Sequence, residues 1–167
     1  MLFYSCMQHV LAKGVVFRTG ACRYDRDVFS NFTIQVIHNK IHMDMMLIQS
    51  LRHGLKGHVS FELRLPKANS YQSRFQHDIN YCEMIKGARE SFYRRWYLSM
   101  MKTANFARSV PLLQAYYYLK GWDLEGNQIP SFLYLGDYRI TGSFYYGKYK
   151  KISNPLLECS LEGLLKT

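Results

Sequence analysis

Residues 111–149 read PLLQAYYYLKGWDLEGNQIPSFLYLGDYRITGSFYYGKY, and this stretch carries the clearest structural pattern of the chain. Aromatic residues fall in short segments that are separated by Gly, Pro, Asn and Asp, the residues of turns. Near its end, alternate residues share one face of a predicted strand, and the more apolar face holds Tyr138, Ile140, Gly142, Phe144 and Tyr146. Such alternation is typical of a sheet with one buried face. The stretch therefore predicts two or three β-strands joined by turns.

A second alternating segment, Gly57–Leu65, favours the same fold class. Its apolar residues Val59, Phe61, Leu63 and Leu65 are each separated by one polar residue. Strict alternation of this kind indicates a strand that buries one face. Together the two segments predict a mainly β protein.

Two further segments complete the predicted strands. Residues 31–37 alternate, and residues 41–51 favour a strand although their methionines also tolerate a helix. Gly54 and Gly57 supply turn residues directly after them. We therefore expect residues 41–65 to form a β-hairpin with a long loop.

Within residues 78–102 the apolar period changes to that of a helix. Ile85, Ala88, Phe92 and Trp96 recur at three- and four-residue steps, which places them on one helical stripe. The remaining surface of this segment is distinctly basic. The pattern predicts one amphipathic helix that packs its apolar stripe against the sheet.

Length and charge limit the class of protein. The 167 residues are enough for one domain with a core, and the apolar runs are too short to span a bilayer. The net charge of +10 favours acidic partners such as nucleic acid, an acidic receptor or an anionic membrane surface. Charge alone does not choose among these partners.

A set of residues spread along the chain matches a family pattern. The set is Cys22, Asp78, Tyr81, Cys82, Trp96, Asn105, Phe106, Pro111, Tyr117, Tyr118, Ile129, Pro130, Gly136, Asp137, Tyr138 and Arg139. On these residues the chain resembles the insect CheB-like domains of unknown function, DUF1091, which are related to the ML lipid-recognition proteins. The resemblance covers residues 17–161 as a single ML-like domain. It leaves residues 1–16 as an N-terminal lead and residues 162–167 as a C-terminal tail.

The resemblance implies an immunoglobulin-like antiparallel β-sandwich that is secreted, carries one packed amphipathic helix and holds a hydrophobic ligand between its sheets. Some CheB-like members are linked to pheromone sensing, so a chemosensory role is implied. The chain departs from the family at Val110-Pro111, where the family has Cys-Pro, and at Ala115, where it has Gly. Residues 1–16 show no convincing signal peptide. If the chain is secreted, Asn31 begins a glycosylation sequon.

The four cysteines, Cys6, Cys22, Cys82 and Cys159, permit three pairings in an oxidising compartment, and their spacing does not select one. The family framework implies that Cys22 pairs with Cys159. It also implies that Cys82, which meets Val110 in place of the family cysteine, remains a buried thiol. The alternative is that all the cysteines are unpaired in a reducing compartment.

Catalytic motifs are absent from the sequence. We find no nucleophile elbow, phosphate-binding loop, dinucleotide fingerprint or zinc-protease helix, and we expect neither an enzyme nor a bound cofactor or metal. A basic helix with aromatic residues is compatible with single-stranded nucleic acid, but no known nucleic-acid module is present. We therefore expect a receptor or an anionic membrane surface rather than nucleic acid as the macromolecular partner.

The aromatic residues predict the binding region, because rings line apolar clefts while hydroxyls and a guanidinium orient a ligand's polar end. The candidates for the cavity are Phe61, Leu63, Phe92, Trp96, Tyr116, Tyr118, Trp122, Tyr138, Arg139 and Phe144. We thus expect non-enzymatic binding of a lipid or small hydrophobic ligand. The alternative is a protein-interaction module in which these residues form a solid core and the basic helix docks an acidic partner.

Overall fold

The computed structural model describes residues 12–87, 90–149 and 154–167. In chain order its elements are β1 (Gly14–Tyr24), β2 (Phe29–Ile37), β3 (Lys40–Leu47), β4 (Lys56–Arg64), β5 (Gln72–Asn80), α1 (Tyr81–Lys86), α2 (Phe92–Met100), β6 (Ala115–Trp122), β7 (Gly136–Tyr145) and β8 (Leu157–Lys166). A short 3-10 helix, Gly126–Gln128, lies between β6 and β7.

Two antiparallel sheets form a sandwich. The larger sheet has the strand order β1-β8-β7-β4-β5, and the smaller sheet has the order β2-β3-β6. All neighbouring strands run antiparallel. The predicted fold class, a mainly β sandwich with a packed helix, is confirmed.

The predicted hairpin over residues 41–65 is wrong, because its two strands belong to different sheets. β3 pairs with β2 and β6, whereas β4 pairs with β5 and β7. The connection between them is held by Leu51, which exchanges two backbone hydrogen bonds with Leu112, and by the buried side chain of Leu55. The chain therefore crosses from one sheet to the other where the sequence pattern suggested a turn.

The segment predicted as one helix is divided into a strand and two helices. Its first residues end β5, and Asn80 then caps α1 by accepting a hydrogen bond from the backbone of Glu83 at 3.1 Å. Gly87 ends α1 with a left-handed φ of 74°, a conformation that glycine adopts without steric cost. The residues of the predicted stripe are thus shared between α1 and α2, and Ala88 lies outside the described residues.

A charged side chain of α2 contacts the end of α1. Ser91 caps α2, and one Nη of Arg94 donates to the carbonyl oxygens of Met84 and Ile85 at 2.7 and 3.0 Å. These carbonyls belong to the last turn of α1, where carbonyls lack their regular helical partner, and that of Met84 also accepts from the backbone N–H of Gly87 at 3.2 Å. Arg94 is therefore a structural cap, which removes one charge from the basic surface that the sequence predicted for this segment.

Both terminal strands extend beyond the expected domain bounds of 17–161. β1 begins at Gly14, and β8 continues to Lys166 in register with it. Residues 14–16 and 162–166 consequently belong to the larger sheet rather than to a lead or a tail. Residues 1–11 of the expected lead lie outside the described part of the chain.

The outer face of the larger sheet carries cross-strand ion pairs. Arg23 of β1 donates to Glu158 of β8 at 2.8 Å, and Ser143 of β7 donates to the other carboxylate oxygen at 3.2 Å. The hydrogen bond from Arg23 holds the pKa of the Glu158 carboxyl below its ordinary value of 4.5, although partial burial opposes this shift. Glu158 should therefore contribute stability that depends on pH.

We expect Glu158→Gln to lower the free energy of unfolding near pH 7 by less than about 1 kcal/mol, because the ion pair is partly exposed. A carboxyl with a lowered pKa stabilises the fold above its unfolded-state pKa and loses this contribution as pH falls through its folded-state value. The gap between variant and native chain should thus close below pH 4.5. Urea unfolding at several pH values measures this, with Asp123→Asn as an exposed-carboxylate control. A gap that stays constant down to the lowest pH would contradict the assignment.

Candidate ligand-binding cavity

A cavity of about 360 Å³ lies between the two sheets. The larger sheet contributes one wall, which includes Gly57, Val59, Gly142, Phe144, Cys159 and Leu161. The smaller sheet contributes the opposite wall, which includes Phe32, Ile34, Met43, Met45, Leu119 and Trp122. The helices and the loop after α2 close one side with Tyr81, Met84, Trp96, Tyr97, Met100 and Phe106. This volume is within the range of small-molecule binding sites.

Small residues on the larger sheet make room for the cavity. On its inner face Gly142 of β7 lies opposite Val59 of β4, and Gly57 lies opposite Phe144. A Cβ atom built on Gly142 would meet no heavy atom within 4 Å. Since inward-facing positions of a sandwich normally hold large side chains that fill the core, two glycines on adjacent strands leave space between the sheets.

The other half of the sandwich, which we call the solid half, is filled apart from a small pocket of about 50 Å³ beside Phe61 and Tyr138. One row further along the same face, Phe61 lies opposite Ile140, and then Leu63 lies opposite Tyr138. Phe61 and Leu63 are almost completely buried, and Phe92 and Trp96 of α2 pack against them with ring centroids 6.2 and 6.3 Å from that of Phe61. Helix α2 therefore separates a packed aromatic core from the cavity, and Trp96 contacts both.

Polar groups on the cavity wall are mostly bonded to the protein itself. The hydroxyl of Tyr97 donates to the carbonyl of Ala107 at 2.6 Å, and that of Tyr117 donates to the carbonyl of Leu113 at 2.7 Å. Both indole nitrogens also donate, that of Trp96 to the carbonyl of Gln128 at 2.9 Å. Such bonded groups offer a ligand little beyond apolar contact, so the cavity favours hydrocarbon over polar groups.

Tyr81 differs from these residues, because its hydroxyl makes no hydrogen bond within the described part of the chain. Burial raises the pKa of this hydroxyl above its ordinary value, and the nearby hydroxyls of Tyr97 and Tyr117 raise it further. Burial likewise raises the pKa of Tyr93 and Tyr97. These phenols are therefore neutral at physiological pH, so they add no charge to the cavity wall.

Three of the ten predicted lining residues, Trp96, Trp122 and Phe144, line the cavity. Phe61, Leu63, Phe92 and Tyr138 do not, because they belong to the solid half of the core. Their alternation and helical spacing indicated burial correctly. The same pattern does not distinguish a side chain beside a cavity from one in a filled core.

Tyr116, Tyr118 and Arg139 lie on outer faces and do not line the cavity. Since strand residues alternate between faces, Tyr117 points inward and its two neighbours point outward. Tyr116 donates to the carboxylate of Asp44 on the outer face of the smaller sheet. Arg139 pairs with Glu162 at 3.0 Å on the outer face of the larger sheet.

Several cavity residues were not predicted. Met43 and Met45 of β3 line the wall opposite Gly142, and Tyr97 of α2 lies at the helical side. The methionine cluster at residues 43–46 was a signal that we did not use, because flexible thioether side chains are common on adaptable binding surfaces. Gly142 lay on the apolar face of the predicted strand, but a glycine in a sequence does not by itself indicate a cavity.

Two of the four cysteines lie on adjacent strands of the larger sheet. Cys22 of β1 lies directly opposite Cys159 of β8, and a disulfide joins them across the two strands. Cys82 of α1 is a buried free cysteine, and Cys6 lies outside the described residues. Asn31, the glycosylation candidate, is exposed on β2.

The outer face of the larger sheet brings together a serine, a histidine and an aspartate. His58 bonds Asp78 through Nδ1 at 2.7 Å and lies opposite Ser143 in the sheet register. A nucleophilic triad needs the serine hydroxyl bonded to the histidine, but Ser143 donates to Glu158. The arrangement therefore lacks the serine–histidine hydrogen bond of such a triad.

The described part of the chain offers neither a metal cluster nor a membrane-spanning helix. Among residues 12–87, 90–149 and 154–167, no group of three or more His, Cys, Asp or Glu side chains could hold a metal ion. No helix in this part of the chain is long and apolar enough to cross a bilayer.

Comparison with known proteins assigns the family. The family described as "Protein of unknown function (DUF1091)" matches residues 57–140, which is half of the chain. The matched part runs from β4 into β7 and includes both helices, so it supplies most of the elements around the cavity. No curated protein matches the chain. The chain belongs to the DUF1091 family of proteins of unknown function.

Proposed function

We propose that the protein binds a lipid or another small hydrophobic molecule in the cavity between its sheets and performs no chemistry on it. The observation that carries the proposal is an apolar cavity of about 360 Å³ in a sandwich whose other half leaves a pocket of only about 50 Å³. A protein that used its core only for stability would be expected to fill this space, since interiors pack nearly as densely as organic crystals. We favour binding over the interaction module for this reason.

The size of the cavity sets the size of the ligand. At about 30 Å³ per water-sized group, it accommodates about twelve such groups, which corresponds to a medium-length hydrocarbon chain. Burying about twelve methylene groups contributes about 10 kcal/mol before the entropic costs of association. The surplus is compatible with dissociation constants in the micromolar range.

The proposal includes secretion and a role in chemosensation. Secretion is supported by the disulfide between Cys22 and Cys159, because disulfides persist mainly in oxidising compartments. A chemosensory or pheromone-related role is supported by the resemblance to CheB-like domains alone. An acidic receptor or an anionic membrane is the partner that the net charge of +10 favours.

Native mass spectrometry of protein secreted from insect cells tests the proposal. We expect a bound species of reproducible mass that is absent from the denatured chain, and extraction should identify it as a hydrophobic molecule. Delipidated protein should then bind fatty acids, alcohols or hydrocarbons of medium chain length in a competition assay with a fluorescent lipid. Protein that carries no such species and binds none of these probes would contradict the proposal.

A further inference from the structure

A second concave region, a surface groove of about 400 Å³, lies beside the cavity at the C-terminal end of α2. It is lined by Ile85, Tyr97, Leu98, Met101, Lys102 and Arg108. Ile85 comes from α1, and Arg108 comes from the loop that follows α2. The groove therefore combines an apolar floor with two cationic side chains.

The two cations are available to a ligand. Neither Lys102 nor Arg108 forms an ion pair with a carboxylate in the described part of the chain, and both are exposed. Leu98 is 47% exposed, which is unusual for a leucine on a packed helix. The C-terminus of a helix contributes about half a negative charge. Two full positive charges outweigh it, so the groove favours an anion.

Tyr97 connects the groove with the cavity, since its side chain lines both. It is the one described residue common to both linings, and its hydroxyl donates a hydrogen bond to the carbonyl of Ala107 at 2.6 Å. Ala107 also lines the cavity. The groove and the cavity are therefore adjacent at Tyr97.

The character of the cavity decides where a charged group can lie. Most polar groups on its wall are bonded to the protein, no Lys or Arg is among the described residues that line it, and the ring of His58 is already bonded to Asp78. Transfer of an ionised carboxylate into such surroundings is strongly unfavourable without a cationic partner. A ligand with an anionic head must therefore keep that head outside, and the groove supplies both the cations and the adjacent path.

We propose that the ligand is an anionic amphiphile whose head group binds Lys102 and Arg108 in the groove while its hydrocarbon tail passes Tyr97 into the cavity. This inference rests on the proposed function and adds the ligand's class and orientation. It assigns recognition of the head to the cations and affinity for the tail to apolar burial. The simplest probe of this class is a medium-chain fatty acid.

The test compares two ligands of equal chain length, dodecanoate and dodecanol, on the native chain and on K102Q/R108Q. We expect the native chain to bind dodecanoate more tightly than dodecanol. In the variant the ratio of the two affinities should fall about tenfold, which is the effect of two partly exposed ion pairs. Affinity for dodecanol should stay unchanged in the variant. The preference should also weaken in salt of about 1 M, where charges are screened beyond about 3 Å.

A matched variant, R26Q/K40Q, removes one lysine and one arginine at exposed positions that do not line the groove. It has the same net charge as K102Q/R108Q and should bind both ligands as the native chain does. Isothermal titration calorimetry supplies the affinities, and thermal unfolding reports whether each variant folds.

The outcomes separate this inference from the function on which it rests. If the native chain binds neither ligand, hydrophobic binding itself is refuted. If it binds both ligands equally, or if both double variants lose the same preference, the cavity binds ligand but the groove does not recognise its head. An equal loss for dodecanol and dodecanoate in K102Q/R108Q would overturn the inference as well, since it would show a role other than charge recognition.

Discussion

Replacing Gly142 with phenylalanine should abolish ligand binding, with at least a hundredfold loss of affinity, and should leave the fold intact. Gly142 faces the cavity from the middle of β7, and a Cβ atom at this position meets nothing within 4 Å. Its φ is not in the left-handed region, so the backbone accepts a side chain. A phenyl group would therefore occupy the space that we assign to the ligand's tail.

The stability of Gly142→Phe distinguishes occupation of the cavity from disruption of the sandwich. Burial of a phenylalanine side chain contributes about 1.5–3 kcal/mol when the site accommodates it. We thus expect the variant without ligand to unfold at the same temperature as the native chain or at a higher one. Competition with a fluorescent lipid measures the affinity, and calorimetric unfolding measures the stability.

Gly14→Phe is the matched control for this experiment. A Cβ atom on Gly14 also meets nothing within 4 Å, but Gly14 begins β1 and does not line the cavity. This variant should bind ligand with native affinity. A folded Gly142→Phe protein that retains native affinity would show that the ligand binds elsewhere.

Alternation of apolar and polar residues predicted β4 and β7, whereas β8 alternates over most of its length and was not predicted. β4 and β7 were found because their burial alternates over most of their length, with Phe61 and Leu63 inside and Glu62 outside. β5 was missed because QSRFQHDIN is an edge strand and most of its residues are exposed. An edge strand buries too few side chains to show a period, so backbone pairing rather than composition defines it.

These patterns could not predict to which sheet each strand belongs. Residues 41–65 show two strands and a glycine loop, and the same pattern describes a hairpin and a crossover between sheets equally well. The deciding contacts are distant in sequence, such as the pairing of β3 with β6 and of Leu51 with Leu112. The same holds for Gly87, whose left-handed φ divides a helical stripe that is continuous in apolar spacing.

The sequence predicted an apolar cavity between the sheets, but it did not predict most of the residues that line it. Tyr116, Tyr117 and Tyr118 are identical side chains on one strand, and only the pairing of Tyr117 with Met45 in the smaller sheet shows which of them faces inward. Moreover, a cavity arises where side chains are small, as at Gly57 and Gly142. Patterns of large apolar residues report where the core is dense, so they led to Phe61 and Tyr138 in the solid half.

Removal of the Cys22–Cys159 disulfide should cost the protein about 2–5 kcal/mol of unfolding free energy, which is a large part of the stability of a typical domain. The two cysteines are 137 residues apart, so the bond closes a loop that spans most of the chain. In the chain-entropy description the denatured ensemble of so long a loop loses about 5 kcal/mol of conformational freedom. The bond also fastens the edge strand β1 to β8.

The experiment compares urea unfolding of the native chain with that of Cys22→Ala/Cys159→Ala. Cys82→Ala is the matched control, because it removes a buried sulfur while the disulfide remains. We expect the double variant to be much less stable than this control. Reductant should destabilise the native chain to a similar extent, and it should hardly affect the double variant.

The number of free thiols tests independently whether the disulfide is present. Titration of the denatured native chain should detect two more thiols after reduction than before, if one disulfide is present. An unchanged count, together with equal stability of the double variant and the Cys82→Ala control, would show that backbone pairing alone holds β1 against β8. That result would also remove the main structural support for a secreted protein, because without the disulfide nothing in the sandwich requires an oxidising compartment.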